Sequence, residues 1–164
     1  MDQRMQGKPL DRVDRMILRY LQANARLSNV ELSRRVNLSP TPCLERVRRL
    51  EREGYVSDYV ALLNPAKLGS ALLIFVEVTL DRTTEKAFGH FKESVLGLPE
   101  VLECHMVAGG FDYLVKVRVS DMAEYRQFLG EKLAELPGVR QTHTYVVMEE
   151  VKSTTFIRVP DAVS

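Results

Sequence analysis

Apolar side chains at Val13, Met16, Ile17, Tyr20 and Leu21 recur at i, i+3, i+4, i+7 and i+8. This is one face of a helix that starts at Asp11, whose carboxylate can cap it, and runs to about Ala23. Asp14 falls in its first turn, where negative charge is favoured. Ser28 and Glu31 then form a capping box, and Leu27 and Leu32 occupy the positions of a hydrophobic staple, predicting a short second helix that ends near Val36. Ser39 can cap a third helix, with Pro40 and Pro42 in its first turn and Gly54 just past its end. Cys43, Leu44, Val47 and Leu50 form its inward stripe. Thr41, Glu45, Arg48, Arg49 and Arg52 form a polar, mainly basic stripe opposite, with Arg46 beside it. A short helix, a tight turn and a basic amphipathic helix make a helix-turn-helix pattern. In such a pattern the start of the last helix reaches base edges while its arginines meet phosphates or guanine. The β-prone pieces Tyr55 to Val60 and Ala61 to Leu63 predict a small wing.

The periodicity changes after Asn64 to Ser70, a stretch whose Asn-Pro and Gly-Ser pairs punctuate the chain. Leu98-Pro99-Glu100-Val101 with His105 recurs 38 positions later as Leu136-Pro137-Gly138-Val139 with His143. Each copy predicts strand, helix, strand. The first runs through Leu72 to Leu80, Glu85 to Leu96 and Val101 to Val107, and the second through Asp112 to Val119, Asp121 to Leu136 and Val139 to Met148. Gly109-Gly110 is expected to join them as a tight hairpin connection. Two such copies make a βαββαβ, ferredoxin-like domain with one sheet face left for a ligand or another subunit. The fold class is therefore α+β: a helix-turn-helix domain over residues 1–63, a linker over 64–70 and a ferredoxin-like domain over 71–164.

Charge sharpens this division. The 164 residues sum to a formal charge of +1, which taken whole disfavours a nucleic-acid partner. Residues 1–64, however, hold 12 Lys+Arg against 8 Asp+Glu, and the remainder 11 against 14. The basic half is the one that carries the helix-turn-helix pattern. The longest apolar stretches, such as Ala71 to Val76, fall far short of the roughly 20 residues that span a bilayer, and Met1 to Leu10 is polar, so an intracellular chain without membrane contact is expected. Cys43 and Cys104 have no metal-ligand or redox spacing.

No catalytic or metal site is expected. Cys104 and His105 are strand neighbours and point to opposite faces, which prevents them from acting as nucleophile and base. His90, His105 and His143 are scattered, Glu149-Glu150 reads as a solvated strand end, and no phosphate-binding loop is present. Two functional classes remain: a DNA-binding regulator, and an amino-acid-binding regulatory subunit of a metabolic enzyme. The second leaves the basic third helix unexplained.

The segments Ser28 to Ser33 and Leu38 to Glu51 resemble the DNA-binding part of the Lrp/AsnC family of transcriptional regulators. Phe111 to Leu114 and Thr144 to Val151 are similar to the same family's effector domain, and the likeness runs from about Leu10 to Lys152. The resemblance implies a winged helix-turn-helix joined to an effector-binding (RAM/ACT-like) domain, working in the cytoplasm on the nucleoid. It implies dimers that assemble further, commonly to octamers, on double-stranded DNA, and that bind an amino acid between dimers, leucine or another apolar one, with no other cofactor. It places Ser28, Asn29, Ser39, Thr41, Pro42, Glu45, Arg46, Arg48 and Arg49 at the DNA, and Met106, Gly109, Gly110, Asp112, Met122, Tyr145, Val146 and Val147 at the effector. Asp112 could anchor the ammonium and the glycine N–H groups the carboxylate, with Met106, Met122 and Val147 as apolar lining.

Overall fold

The computed structural model describes residues 9–161. Most of the polar stretch from Met1, and the last three residues of the predicted second domain, lie outside the described residues. The chain forms two compact units. One takes the chain through Leu62 together with the segment that begins at Ser153, and the other spans Leu63–Lys152. The first unit is called the head below. The first division falls at Leu62–Leu63, and the segment from Ser153, which the sequence places in the second domain, groups with the head.

The head contains α1 (Arg12–Ala23), α2 (Asn29–Arg35) and α3 (Pro40–Arg52). Two capping boxes start α1 and α2. The Asp14 N–H donates to Asp11 Oδ1 at 2.8 Å while the Asp11 N–H donates to Asp14 Oδ2 at 3.0 Å, and Ser28 and Glu31 repeat the arrangement. Both α2 and α3 end in a Schellman motif. After α2 the left-handed residue is Asn37 (φ 55°), with the Leu38 N–H bonded to Ser33 O. After α3 it is Gly54 (φ 74°), with the Tyr55 N–H bonded to Leu50 O. Ser39 sits at the start of α3 in extended conformation but its side chain caps nothing. The third helical residue, whose N–H it would accept, is Pro42 and has no donor.

Ile17, Leu21, Leu32, Val36, Cys43 and Leu50 form the buried core of the head. Asp14 lies on the same stripe of α1 as Ile17 and Leu21 and is fully buried. Its carboxylate is met from α3: Arg46 Nη1 donates to Asp14 Oδ1 at 2.8 Å and to Asp11 Oδ2 at 2.6 Å, and Arg49 Nη2 lies 2.6 Å from Asp14 Oδ2. The Arg49 approach is off the axis of its N–H bonds, which makes this contact an ion pair more than an aligned hydrogen bond. The expected wing is not formed as paired strands. Tyr55–Leu63 carries no ladder, and Val60, Leu62 and Leu63 are exposed, because an extended segment becomes a strand only when a neighbour takes up its N–H and C=O groups.

The second unit is a four-stranded antiparallel sheet in the order β2-β3-β1-β4, made of β1 (Leu72–Leu80), β2 (Val101–Met106), β3 (Tyr113–Val119) and β4 (Val139–Val146). α4 (Glu85–Val95) and α5 (Met122–Phe128) make the two crossovers of the βαββαβ repeat, and a short 3₁₀ turn at Ala66–Leu68 precedes β1. Ile74, Val76, Val78 and Leu80 of β1 and Val115, Val117 and Val119 of β3 are buried against Phe91, Val95, Tyr125, Phe128 and Leu133. Where one helix from Asp121 to Leu136 was expected, α5 passes at Leu129 into a π-turn ending at Leu133. The wider turn places Phe128 and Leu133, five apart, on one buried face. The two copies also share a defect: β2 skips Leu102 in its pairing with β3, and β4 skips Arg140 in its pairing with β1, so each carries a bulge one residue after Val101 or Val139.

Two outcomes are expected for the head. Asp14→Ala strands the Arg49 guanidinium at a packed interface and leaves Arg46 with Asp11 alone, and the loss of stability measured by urea unfolding should be about 3 kcal/mol. Asp11 gives a pH signature. Its burial opposes ionisation, but the Asp14 N–H and the Arg46 guanidinium outweigh it and hold the carboxyl at about 2, below its ordinary 3.8. The stabilisation is complete above about 4 and is lost as pH falls toward 2. The unfolding midpoint should drop across that window, and Asp11→Asn should flatten the drop.

Candidate DNA-contacting helix and effector sites

The face of α3 away from the core presents Ser39, Thr41, Glu45, Arg48 and Arg52 to solvent, with Pro42 half-buried at its start. Thr41, Glu45, Arg48 and Arg52 follow i, i+4, i+7 and i+11, a straight row along a helix of 13 residues. Arg46 and Arg49 depart from the expected basic stripe. Arg46 shares the line of Cys43 and Leu50, and both guanidiniums turn to Asp14, leaving the Arg49 side chain 16% exposed. Ser28 and Asn29 are also committed within the head. The Ser28 hydroxyl donates to Glu31 Oε2 at 2.8 Å, and Asn29 Nδ2 donates to Pro40 O at 2.7 Å, tying the start of α2 to the start of α3. The free side chains of the row are a hydroxyl, a carboxylate and two guanidiniums, a set able to donate to phosphate oxygens and to base acceptors.

The eight expected effector residues fall into two groups. Asp112 lies beside the end of β1: its N–H donates to Val78 O at 3.0 Å, and the Leu80 N–H donates to its Oδ2 at 2.7 Å. The Val107 N–H in turn donates to Asp112 O, so one residue closes the whole loop from Val107 to Asp112. This loop is what forms at the expected tight hairpin connection. Neither Gly109 nor Gly110 takes a positive φ, and a Cβ at either would meet open space. Both line a cleft of about 340 Å³ with Asp112, Arg82 and Arg140. Arg140 is the residue that the β4 bulge leaves out of the ladder, and it lines the same cleft as Asp112. Met106, half-exposed, is paired with Tyr113 at this end of the sheet.

Met122, Tyr145, Val146 and Val147 lie at the other end. Val146 pairs with Ile74 and the Val147 N–H donates to Leu73 O, at the beginning of β1, while Met122 opens α5 after β3 has passed Leu72. The six residue-to-residue steps from Ile74 to Leu80 separate the groups by about 20 Å. One chain therefore does not bring the two groups around one small ligand. Tyr145 faces the open side of the sheet, where hydrogen bonding to Glu77 raises its phenol above the usual range. His105 and His143 stand on that same open side, His105 3.2 Å from Glu103, which also receives Lys116 Nζ at 2.7 Å. Cys104 points to the helix side, opposite His105. Among the described residues no three metal-capable side chains converge, and no helix is long and apolar enough to cross a membrane.

Sequence patterning singles out neither Arg82 nor Arg140, and it marks Asp14 only as a first-turn charge, not as the buried partner of Arg46 and Arg49. Arg140 is hidden by the bulge, which has no sequence mark beyond the repeat itself. Asp14 was visible as the one charge on the i, i+3, i+7 stripe with Ile17 and Leu21.

Comparison with known proteins agrees with both units. Residues 10–57 match the family description "Winged helix-turn-helix DNA-binding", and residues 73–157 match "Lrp/AsnC ligand binding domain". The leucine-responsive regulatory proteins of Klebsiella pneumoniae and of Escherichia coli K12 are each 61% identical over 148 residues, covering 90% of this chain and 90% of theirs. A transcriptional regulator of Neisseria meningitidis solved as a complex with L-Met superposes with a TM-score of 0.87 at 41% identity, covering 92% of this chain and 97% of that one. An AsnC family regulator of Agrobacterium tumefaciens gives 0.86 at 35% identity, with 91% and 97% covered. The chain belongs to the Lrp/AsnC family, whose members are DNA-binding transcriptional regulators and not enzymes.

Proposed function

We propose that two α3 helices, one from each chain of a dimer, enter successive major grooves, and that an apolar amino acid bound between copies of the second domain sets the assembly state and so the DNA affinity. The row Thr41, Glu45, Arg48 and Arg52, exposed on a helix locked to its neighbours, is the observation that carries the reading. Ser39 and Pro42 flank its start, while Arg46 and Arg49 are left out of the contact set because Asp14 holds them. Ser28 and Asn29 fix the geometry of the turn and can offer only what their internal bonds leave.

The effector reading combines the two ends of the sheet. In the cleft at Asp112, one carboxylate oxygen is taken by the Leu80 N–H and the other is available for an ammonium, with Arg140 and Arg82 beside it for a carboxylate. The lining of Met122, Val146 and Val147 at the opposite end suits an apolar side chain, and it meets such a cleft only on a second copy. This separation supports a site between chains and assembly beyond the dimer, with the octamer of the resemblance as the proposed size. Relatives named for leucine and one solved with L-Met support leucine or methionine as the effector. The place of action that follows is the cytoplasmic nucleoid. Effector control then needs only a difference in affinity between assembly states, about 1 to 3 kcal/mol.

Two measurements check this. Arg48→Ala should weaken binding to upstream DNA of amino acid metabolism genes about tenfold or more and reduce its salt dependence, with oligomer size unchanged in light scattering. Unaltered affinity would remove α3 from the DNA interface. Asp112→Asn keeps an acceptor for the Leu80 N–H but removes the charge. Calorimetric binding of L-leucine or L-methionine should weaken at least tenfold while DNA binding without effector is retained. Undiminished binding would move the pocket elsewhere.

A further inference from the structure

The segment from Ser153 to Asp161 crosses one face of α1 in extended form and is held there almost entirely through its backbone. Gln22 makes a reciprocal pair with Ile157: the Ile157 N–H donates to Gln22 Oε1 at 2.6 Å, and Gln22 Nε2 donates to Ile157 O at 2.8 Å. The side-chain amide thus takes the part that a neighbouring strand residue would play in a ladder. One turn back, Arg19 Nη2 donates to Val159 O at 3.0 Å and pairs with the Asp161 carboxylate, which it holds below the usual carboxylate range. A further turn back, Arg15 Nη1 donates to Pro160 O at 3.0 Å. Positions 15, 19 and 22 form one helical line on α1, distinct from the buried line of Asp14, Ile17 and Leu21. The segment also roofs a cleft of about 290 Å³, in which Ile157 and Val159 face Leu18, Leu21, Tyr55 and Val56.

Two properties of this contact matter together. Its hydrogen bonds are all solvent-exposed, so they are individually weak and open without unfolding the head. Its attachment is also not arbitrary, because Lys152, the residue before the segment, is the last of the ligand-binding unit. That unit is consequently joined to the head by two covalent connections, at Leu62–Leu63 and at Lys152–Ser153. With the segment docked, α1 is held at a second point on a short tether. Released from α1, the segment stays bonded to Lys152 but no longer ties that unit to α1, and only the connection at Leu62–Leu63 links it to the three helices.

We propose that the segment from Ser153 to Asp161 is a releasable latch on α1, through which the effector state of the ligand-binding unit reaches the DNA-binding head. The latch rests on the reading that the second unit binds an amino acid and the head binds DNA. Line contacts to backbone atoms allow it to engage and release as one piece, and only a difference in docking between effector-bound and effector-free chains is needed to couple the two sites.

The protein contains no tryptophan, so Phe156→Trp in the full chain gives a single reporter on the latch. Titration with L-leucine and L-methionine, followed in parallel by calorimetry and by tryptophan emission, should show an emission change that saturates with the calorimetric binding. Adding Arg19→Ala and Gln22→Ala should abolish the emission change and reduce the effector-dependent change in operator affinity to less than twofold, with calorimetric binding and operator affinity without effector retained. A chain ending at Lys152 should respond like the double variant. Calorimetric binding with unchanged emission, or a full effector response in the Arg19→Ala/Gln22→Ala chain, would overturn the latch while leaving the effector site standing. Absence of any calorimetric binding would overturn the effector reading, and the latch with it.

Discussion

A single buried carboxylate organises the head. Asp14 sits on the apolar stripe of α1, where an unpaired charge would be prohibitive, and its burial is tolerable only because Arg46 and Arg49 reach it from α3. That requirement sets the orientation of α3 against α1 and ties the capping box of α1 to the same cluster through Asp11. The rest of the head follows from it. With Arg46 and Arg49 drawn inward, the outward face of α3 is reduced to Thr41, Glu45, Arg48 and Arg52, a narrow row that matches one side of a helix in a groove. The cluster separates arginines that hold the fold from the solvent-facing Arg48 and Arg52 that are proposed to meet DNA.

Much of this was legible in the sequence, for identifiable reasons. The ends of the helices announce themselves through Asp11, the Ser28 and Glu31 pair and Gly54, because capping chemistry is local. The βαββαβ order is legible because the 38-residue repeat doubles the signal of each element. What escaped is non-local. Periodicity alone places Arg46 and Arg49 beside Arg48, since their inward turn depends on a carboxylate more than 30 positions away. The wing is β-prone in composition but has no pairing partner among the described residues. The π-turn at Leu129–Leu133 and the bulges at Leu102 and Arg140 move a side chain by one position, below the resolution of a pattern count, yet one of them delivers Arg140 to the cleft that contains Asp112.

In the second domain the proposed effector residues occupy the two ends of one sheet. β1 lies centrally, with Asp112 hydrogen-bonded to its last residues and Val146 and Val147 paired with its first ones. A ligand small enough to be an amino acid cannot span that length, so in the proposed site the polar and apolar groups come from opposite ends of two copies. The Ser153 segment adds a second route between effector and head in the same economical way, with three side chains of α1 reading backbone rather than a dedicated interface.

The claim that Arg46 and Arg49 serve Asp14 and not DNA is tested most directly by replacing the whole cluster with apolar side chains of similar size, Asp14→Leu with Arg46→Met and Arg49→Met, and measuring operator affinity as a function of salt. Buried ionic clusters replaced in this way commonly retain or gain stability. The account predicts a folded chain whose affinity and salt slope match those of the native protein. A folded chain whose slope falls by about 0.9 for each arginine removed would show that these two side chains contact phosphates, and would contradict it.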